Sequence, residues 1–299
     1  MKNKLFVLLL VLILTSCAQG PAPSVIDREG NPITLPDKID TIISFGPSNT
    51  EILIALGLAD SIIAADTYSV GIPGLAADIP LFDMLSPDGE RIAALAPDIV
   101  FVTSMSKFGN EDPFGIVSSA GICIIYIPSA AAITDIIEDI RYIAAITDKT
   151  EAGDLIINEL EQELDAIRAV GDTITDKSTV YFEIEAAPWM YSFGSGVFLN
   201  EMIEIIGAVN IFGGEDEWIA VADEAIVELN PDVILTSVNY LIDPVAEIME
   251  RPGWNGITAV ANKNVYYIDT DSCNRPSHHI VKALREMAAA VYPDLYGEQ

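Results

Sequence analysis

The sequence predicts an α/β protein of two similar lobes with parallel-rich sheets, joined by one long α-helix and leaving a ligand cleft between them. Three observations predict it. Short β-rich runs alternate with helical patterns, as they do where helices cover parallel sheets. Residues 149–170 hold one sustained helical pattern, and a segment of the first half recurs in the second. At 299 residues, 51% of them apolar, the chain can bury two cores of ordinary size.

The N-terminus is a targeting device rather than part of the fold. Lys2 and Lys4 precede an unbroken apolar run, Leu5 to Leu14. That run is too short to span a bilayer, which takes about 20 residues, and it suits the core of a signal peptide over residues 1–16. Leu14-Thr15-Ser16-Cys17 resembles a bacterial lipobox. The resemblance implies cleavage before Cys17, lipid on its thiol, and a secreted chain anchored to the cell membrane, on the extracellular face or in the periplasm. Residues 17–38 read as the linker, with Ala18 to Ser24 small and rich in Pro and Gly. The formal charge of −30 opposes nucleic acid and anionic lipid surfaces as partners.

The first lobe is expected over residues 39–147. Thr41 to Phe45 reads as a strand ended by Gly46-Pro47, followed by a helix from Ser48, whose side chain caps it together with Glu51. Asp98 to Thr103 and Ile122 to Ile127 read as further buried strands. Cys123 in the last of these is an inert buried thiol. Pairing with Cys273 is neither required nor excluded.

The linking helix is expected over residues 148–171. Apolar residues fall at 156, 160, 164 and 167 with acids crowding the other positions. At ~1.5 Å per residue such a helix runs about 33 Å, which suits a rigid strut.

The second lobe, residues 172–299, repeats the first. Glu90-Arg-Ile-Ala-Ala-Leu-Ala-Pro-Asp98 aligns without gaps on Glu224-Ala-Ile-Val-Glu-Leu-Asn-Pro-Asp232, and an apolar strand follows each. In both a helix ends before Pro-Asp. Each half also opens with a strand, a Gly/Pro loop and a helix, at 42–56 and 179–206.

Catalysis has little to work with, and the chain reads as no enzyme. The only histidines, His278 and His279, are adjacent and expected to point apart on the last long helix. Two such neighbours without a partner cysteine make no zinc site. No nucleophile elbow, P-loop or dinucleotide fingerprint occurs. Gly194-Ser195-Gly196 reads as a glycine turn before a helix near Phe198. No cofactor is expected.

Binding has more. Ligands of α/β lobes sit at the carboxyl ends of the strands. The loops there carry Ser48, Asn49, Tyr68, Met105 and Phe108 in the first lobe, and Trp189, Tyr191, Trp218 and Arg275 in the second. Aromatic rings bury flat ligand surface while keeping a polar edge; core packing is the competing reading for each. Trp218 stands out, because its loop Gly213-Gly-Glu-Asp-Glu-Trp218 has no amphipathic pattern that would bury it. Few basic side chains lie near these loops, which disfavours a strongly anionic ligand. Glu90 and Glu224 each stand near a helix start, where the dipole favours a carboxylate. In duplicated lobes they also form a symmetric pair, suited to a two-fold symmetric partner supplying arginines.

Ile43-Ser-Phe-Gly-Pro-Ser-Asn-Thr-Glu51, with Glu-x-Ile-x-x-Leu-x-Pro-Asp in both halves, Arg251-Pro-Gly-Trp254 and the closing Arg275-Pro276, resembles the helical-backbone substrate-binding proteins of ABC importers for cobalamin, iron–siderophore and haem. The resemblance runs over roughly residues 39–294. It implies two Rossmann-like lobes with little hinge motion, and a monomer that meets a homodimeric permease through Glu90 and Glu224. The cobalamin binders are the nearest in pattern, through Ser48-Asn49-Thr50-Glu51, Thr67-Tyr68-Ser69 and the spacing Trp218, Val221, Glu224. It implies that Tyr68 and Trp218 lie against a corrin. Two places depart from that pattern: Val70-Gly71-Ile72-Pro73, and Asn274-Arg275-Pro276-Ser277-His278-His279. An iron–siderophore or haem is the alternative cargo, with His279 as a candidate haem-iron ligand opposite Met105 or Tyr68. A chelatase-like enzyme would need an ionisable constellation that the cleft loops do not supply. An adhesin or sensor would not need paired docking glutamates.

Overall fold

The computed structural model describes residues 25–107 and 113–297, so the expected leader, Cys17 and Phe108 lie outside the described residues. A short hairpin, β1 (Val25–Ile26) and β2 (Pro32–Ile33), comes first. Next come β3 (Ile42–Ser44), α1 (Pro47–Ala55), β4 (Ile62–Asp66), β5 (Leu81–Phe82), α2 (Gly89–Ala94), β6 (Ile99–Thr103), α3 (Gly115–Ser119), β7 (Cys123–Ile127) and α4 (Ile133–Ile146). Strands β3 to β7 are all parallel, in the order β5-β4-β3-β6-β7.

The linking helix is α5 (Thr150–Gly171). Beyond it lie β8 (Thr179–Glu183), β9 (Tyr191–Phe193), α6 (Phe198–Ile205), β10 (Val209–Asn210), β11 (Trp218–Ala220) and α7 (Asp223–Leu229). The chain closes with β12 (Val233–Thr236), α8 (Pro244–Glu250), α9 (Thr258–Asn262), β13 (Val265–Tyr267), α10 (Thr270–Asn274), α11 (Ile280–Val291) and α12 (Pro293–Tyr296). The second sheet is also parallel, in the order β10-β8-β12-β13, while β9 and β11 form a separate antiparallel ribbon.

The repeat in sequence is thus a repeat of topology. Setting aside the two-residue β5, which adds an edge beyond β4 in the first lobe alone, the first strand of each sheet is central, the next lies to one side, and the last two lie to the other. That order is β4-β3-β6-β7 in one lobe and β10-β8-β12-β13 in the other. The boundaries of the repeated segment match as well. The chain after α2 and after α7 turns through a left-handed residue, Ala96 (φ 47°) and Asn230 (φ 46°), directly before Pro97 and Pro231.

Alternation along the strands decides the layering, since each step turns the side chain to the opposite face. Ile42, Ile99 and Phe101 share one core with Val180, Phe182, Val233 and Leu235 of the other lobe. Ile43, Val100 and Val102 face a core private to the first lobe. Tyr181 and Ile234 do the same in the second.

Helix α5 is what makes the first core common to both lobes. Ile157, Leu160, Leu164 and Ile167 are buried along it, and each such side chain contributes roughly 1.5–3 kcal/mol on burial. Its 22 residues span about 33 Å at ~1.5 Å each, the length expected from the sequence. It is not a free strut, however: α4 packs on it from one lobe and α6 and α11 from the other. Two glycines set these close approaches. A Cβ at Gly153 would stand 2.5 Å from the Ala144 Cβ, and one at Gly171 would stand 2.2 Å from the Ile205 carbonyl oxygen.

Three local expectations are corrected. The cap of α1 is not Ser48 but Gly46, at φ 97°, with Pro47 as the first helical residue; Glu51 is turned instead toward the second lobe. The linker expected to run to residue 38 gives way at Val25 to a hairpin bound to the first lobe. Trp218 does not sit in a loop but opens β11, where the ribbon with β9 supplies the backbone partners that a loop would lack. Cys123 and Cys273 are free and buried. Burial pushes their thiols up to about 11 and about 12, respectively. Among the described residues no helix is long and apolar enough to cross a membrane.

Candidate functional site

The carboxyl ends of β3 and β4 are organised by one buried carboxylate. Asp66 accepts the amide of Gly46 at 2.9 Å and the Ser69 hydroxyl at 2.7 Å on Oδ2, and the amide of Tyr68 at 2.7 Å on Oδ1. It thereby fixes both the start of α1 and the turn that carries Tyr68, which is 53% exposed. The turn after β6 carries Met105, 56% exposed. From the second lobe α10 presents Thr270, Asp271 and Asn274, with Arg275 at its end.

These elements enclose a cleft of about 340 Å³ between the lobes. It is lined by Pro47, Tyr68, Met84, Leu85 and Met105 on one side, and by Asn239, Thr270, Asp271, Asn274 and Arg275 on the other. Of the residues expected from the sequence, Tyr68, Met105 and Arg275 meet here. Ser48 is half-buried beside Pro47. Asn49 is not available to a ligand: it is buried, and its amide donates to the Phe45 carbonyl at 2.8 Å. Trp189, Tyr191 and Trp218 do not line this hollow. They stand exposed on and beside the ribbon that leaves the carboxyl end of β8, and the Trp218 ring meets Phe193 edge-on with centroids 6.0 Å apart.

The base of that ribbon is held by a buried ion network. Arg251 pairs with Glu183 at 2.7 Å, also contacts Glu247, and donates to the Met190 sulfur at 3.1 Å, next to Trp189. Burial holds the Glu183 carboxyl above its usual range, opposed by Arg251.

Sequence reasoning missed Met84, Leu85, Asn239 and the α10 residues. Asn239 follows the carboxyl end of β12, so the rule that named Met105 after β6 could have found it. Glu51 was named only as a capping partner; its carboxylate joins the lobes, accepting from Arg275 at 3.0 Å and from the Ser277 hydroxyl at 2.5 Å. The amide of Ile133 likewise donates across to Glu201 at 2.6 Å.

Charge in the cleft is nearly cancelled. Arg275 is the one cation among its lining residues, and it is spoken for by Glu51 and by Asp271 at 2.8 Å.

His278 and His279 do not point apart as expected. They precede α11 rather than lying on it, and their rings lie against each other at a tilt of 39° with centroids 4.0 Å apart. His278 Nδ1 is buried without a hydrogen-bond partner, and burial, aided by His279, lowers its pKa to about 4. Both rings line a side groove with Ile54, Ile72 and Lys282, which adjoins the cleft at Asp271 and Arg275, whereas Tyr68 and Met105 line the cleft itself. Among the described residues no group of three or more His, Cys, Asp or Glu could hold a metal ion.

Glu90 and Glu224 occupy equivalent places, each exposed in the first turn of its helix, α2 and α7. Beside Glu224 lies a shallow groove formed with Val227, Glu228, Pro252 and Gly253.

Two parallel-sheet lobes bridged by one helix, with a cleft between them, define a bilobed protein shaped to hold a solute. The family of periplasmic binding proteins matches residues 42–272, and the chain belongs to it. It is a solute-binding transport protein and not an enzyme. Its relatives include the ABC transporter substrate-binding lipoprotein YvrC of Bacillus subtilis, 29% identical, with 92% of this chain and 88% of that one covered. The vitamin B12-binding protein of Vibrio campbellii is 26% identical over 96% of both chains. Among solved structures, a possible iron-binding periplasmic solute-binding protein of Staphylococcus epidermidis superposes with a TM-score of 0.75. That pair is 26% identical, and the match covers 86% of this chain and all of the other.

Proposed function

We propose that the protein captures a corrinoid, a cobalamin-like metal complex, outside the cell and delivers it as a monomer to the permease dimer of an ABC importer. Lipid on Cys17 holds it at the membrane, and Glu90 and Glu224 meet one permease half each. The observation that carries the choice of ligand is the spent charge of Arg275. With Glu51 and Asp271 on its guanidinium, the described lining of the cleft holds no free cation for an anionic chelate, and burying unpaired anionic charge is costly. What it does offer suits a neutral or weakly cationic ring rimmed with amides. Tyr68, Met84, Leu85 and Met105 give an apolar face; Asn239, Thr270 and Asn274 give hydrogen-bonding groups. The similarity to a vitamin B12-binding protein along nearly the whole chain supports the same reading.

The likeness to a possible iron-binding protein favours a second reading, an iron–siderophore or haem cargo in the same role. Absorption titrations with cyanocobalamin, protohaem and a ferric hydroxamate distinguish them. A shifted corrin spectrum and co-elution with cobalamin are expected; capture of haem or the ferric chelate, with cobalamin ignored, overturns the corrinoid assignment.

A further inference from the structure

The hairpin β1–β2 is bound to the first lobe more firmly than a tether requires. Asp27, 4% exposed, shapes its turn: Oδ1 accepts the amides of Glu29 at 3.0 Å and Asn31 at 2.7 Å, and Oδ2 accepts the Tyr126 amide of edge strand β7 at 3.3 Å. Gly30, at φ 87°, lets the chain reverse there. Arg28 reaches α4, with Nε on Asp139 and Nη1 on Glu138, both at 2.7 Å. The Tyr142 hydroxyl donates to the Ile26 carbonyl at 2.9 Å.

So held, the hairpin places Glu29 against the loop after β6. Glu29 spends both oxygens there: Oε1 accepts the Ser104 hydroxyl at 2.7 Å, and Oε2 pairs with Lys107 Nζ at 2.5 Å. Lys107 Nζ also lies 3.4 Å from the centre of the Tyr126 ring. Met105 stands between the two clasped residues, exposed and lining the cleft. Among the described residues the loop's own support is slight. It is a single three-residue turn, with the Met105 amide 3.4 Å from the Thr103 hydroxyl and the Lys107 amide 3.0 Å from the Ser104 carbonyl.

We propose that Glu29 is a positioning residue for the ligand cleft, clasping Ser104 and Lys107 so that Met105 is held against the ligand. The segment that follows the membrane tether is therefore part of the binding apparatus. This rests on the reading that cargo occupies the cleft between Tyr68, Met105 and Arg275, and it assigns the thioether of Met105 as an apolar contact whose placement is set from outside the cleft.

The test is a double-mutant cycle in the full-length protein, read by cobalamin affinity, together with amide hydrogen exchange over residues 103–107. Glu29→Ala is expected to speed exchange at Met105 and Lys107 about tenfold and to weaken cobalamin binding about fivefold, the worth of roughly one hydrogen bond. Glu29→Gln keeps an acceptor for Ser104 but loses the ion pair, and it should fall between. In a Met105→Ala background, Glu29→Ala should cost no further affinity, because the group being positioned is gone. The melting temperature should change little, since Asp27 and Arg28 still hold the hairpin. Unchanged exchange, or affinity losses that simply multiply in the double variant, would overturn the proposal. A wild-type chain that ignores cobalamin sinks the corrinoid reading alone. The exchange rates still decide whether Glu29 holds the loop, and the cycle is then run with whichever of protohaem and ferric hydroxamate binds.

Discussion

Asp98 and Thr41 are clasped in both directions: the carboxylate accepts the Thr41 amide at 2.8 Å and its hydroxyl at 2.9 Å, and that hydroxyl accepts the Asp98 amide at 3.0 Å. Asp232 and Thr179 repeat the clasp in the second lobe, at 2.9, 2.7 and 3.0 Å. The Asp of each Pro-Asp repeat thus ties the start of one strand to the start of the central strand beside it, β6 to β3 in the first lobe and β12 to β8 in the second. In the first lobe the Asp40 amide adds a further bond, and with those of Thr41 it holds the Asp98 carboxyl below the usual range against partial desolvation.

Asp98→Ala is therefore expected to lose about 1–2 kcal/mol, the worth of a charge-assisted hydrogen-bond set at a half-exposed site. A lowered folded-state pKa stabilises above the unfolded pKa, and that stabilisation fades as pH falls through the folded value. The gap between wild type and variant in urea melts should therefore be full at pH 7 and narrow in acid. A gap independent of pH would leave no role for the charge.

The left-handed residue before each proline differs between the lobes. Asn230 adopts φ 46° and also bonds Thr258, its side-chain Oδ1 accepting the Thr258 amide at 2.8 Å, whereas Ala96 adopts φ 47° with a Cβ and no such compensation. An L-residue in that region costs roughly 1–2 kcal/mol. Ala96→Gly should recover about 1 kcal/mol of it, net of the greater freedom of glycine in the unfolded chain. A rise in melting temperature checks it; a fall would mean that the Ala96 methyl group packs.

Much of this frame was legible because it is written in local pattern. The repeat, the apolar stripe of α5 and the buried strands each follow from spacing within one segment, and the structure places β6, β7 and α5 within a residue or two of expectation. The cleft was legible only in part. Tyr68 and Met105 were found because they follow the carboxyl ends of β4 and β6. Met84 and Leu85 were not, because β5 is two residues long and leaves no periodic trace. Glu51 gave no signal of its interlobe role, since Arg275 lies 224 residues away and their pairing depends on how the lobes meet. Gly46 took the cap from Ser48 because its positive φ and the following proline start the helix one residue earlier. Where function is made by juxtaposition across the chain, single-segment chemistry points to neighbourhoods rather than to pairs.

Trp218 stands half exposed on β11 in a T-shaped contact with Phe193, so much of its ring is open to solvent. Trp218→Ala should weaken cobalamin binding by about 1–3 kcal/mol through lost aromatic contact, with a melting temperature close to wild type. Calorimetric titration reads both affinity and stoichiometry. An unchanged affinity removes the ribbon from the ligand site and leaves the Tyr68–Arg275 hollow alone.

Glu90 and Glu224 are exposed at matching first turns, where a carboxylate also gains from the helix dipole. The two roles separate in a charge reversal. Glu90→Arg with Glu224→Arg should leave cobalamin affinity within about twofold, a difference well under 1 kcal/mol, and should abolish uptake by cells. If only the dipole mattered, the double variant would melt slightly earlier and transport normally.

His278 gives the chain a distinct acid sensitivity. Its ring is mostly buried with Nδ1 unpartnered, and its folded pKa of about 4 lies below the ordinary 6.5 because burial, and secondarily His279, disfavour the cation. Between those values the unfolded chain binds a proton that the folded chain refuses, so stability rises with pH across the window and is lost as pH falls through it. The charged groups facing the same groove are Glu51, Asp269, Asp271, Arg275 and Lys282, with His279 in tilted contact with the ring. His278→Gln removes the titration but leaves those groups in place. Comparing urea stability of wild type and variant from pH 7 to pH 4 should show the wild type losing more, by at most about 3 kcal/mol for a fully desolvated ring. Parallel curves would mean that the ring is protonated without cost, and that the groove carboxylates reach Nδ1 in solution.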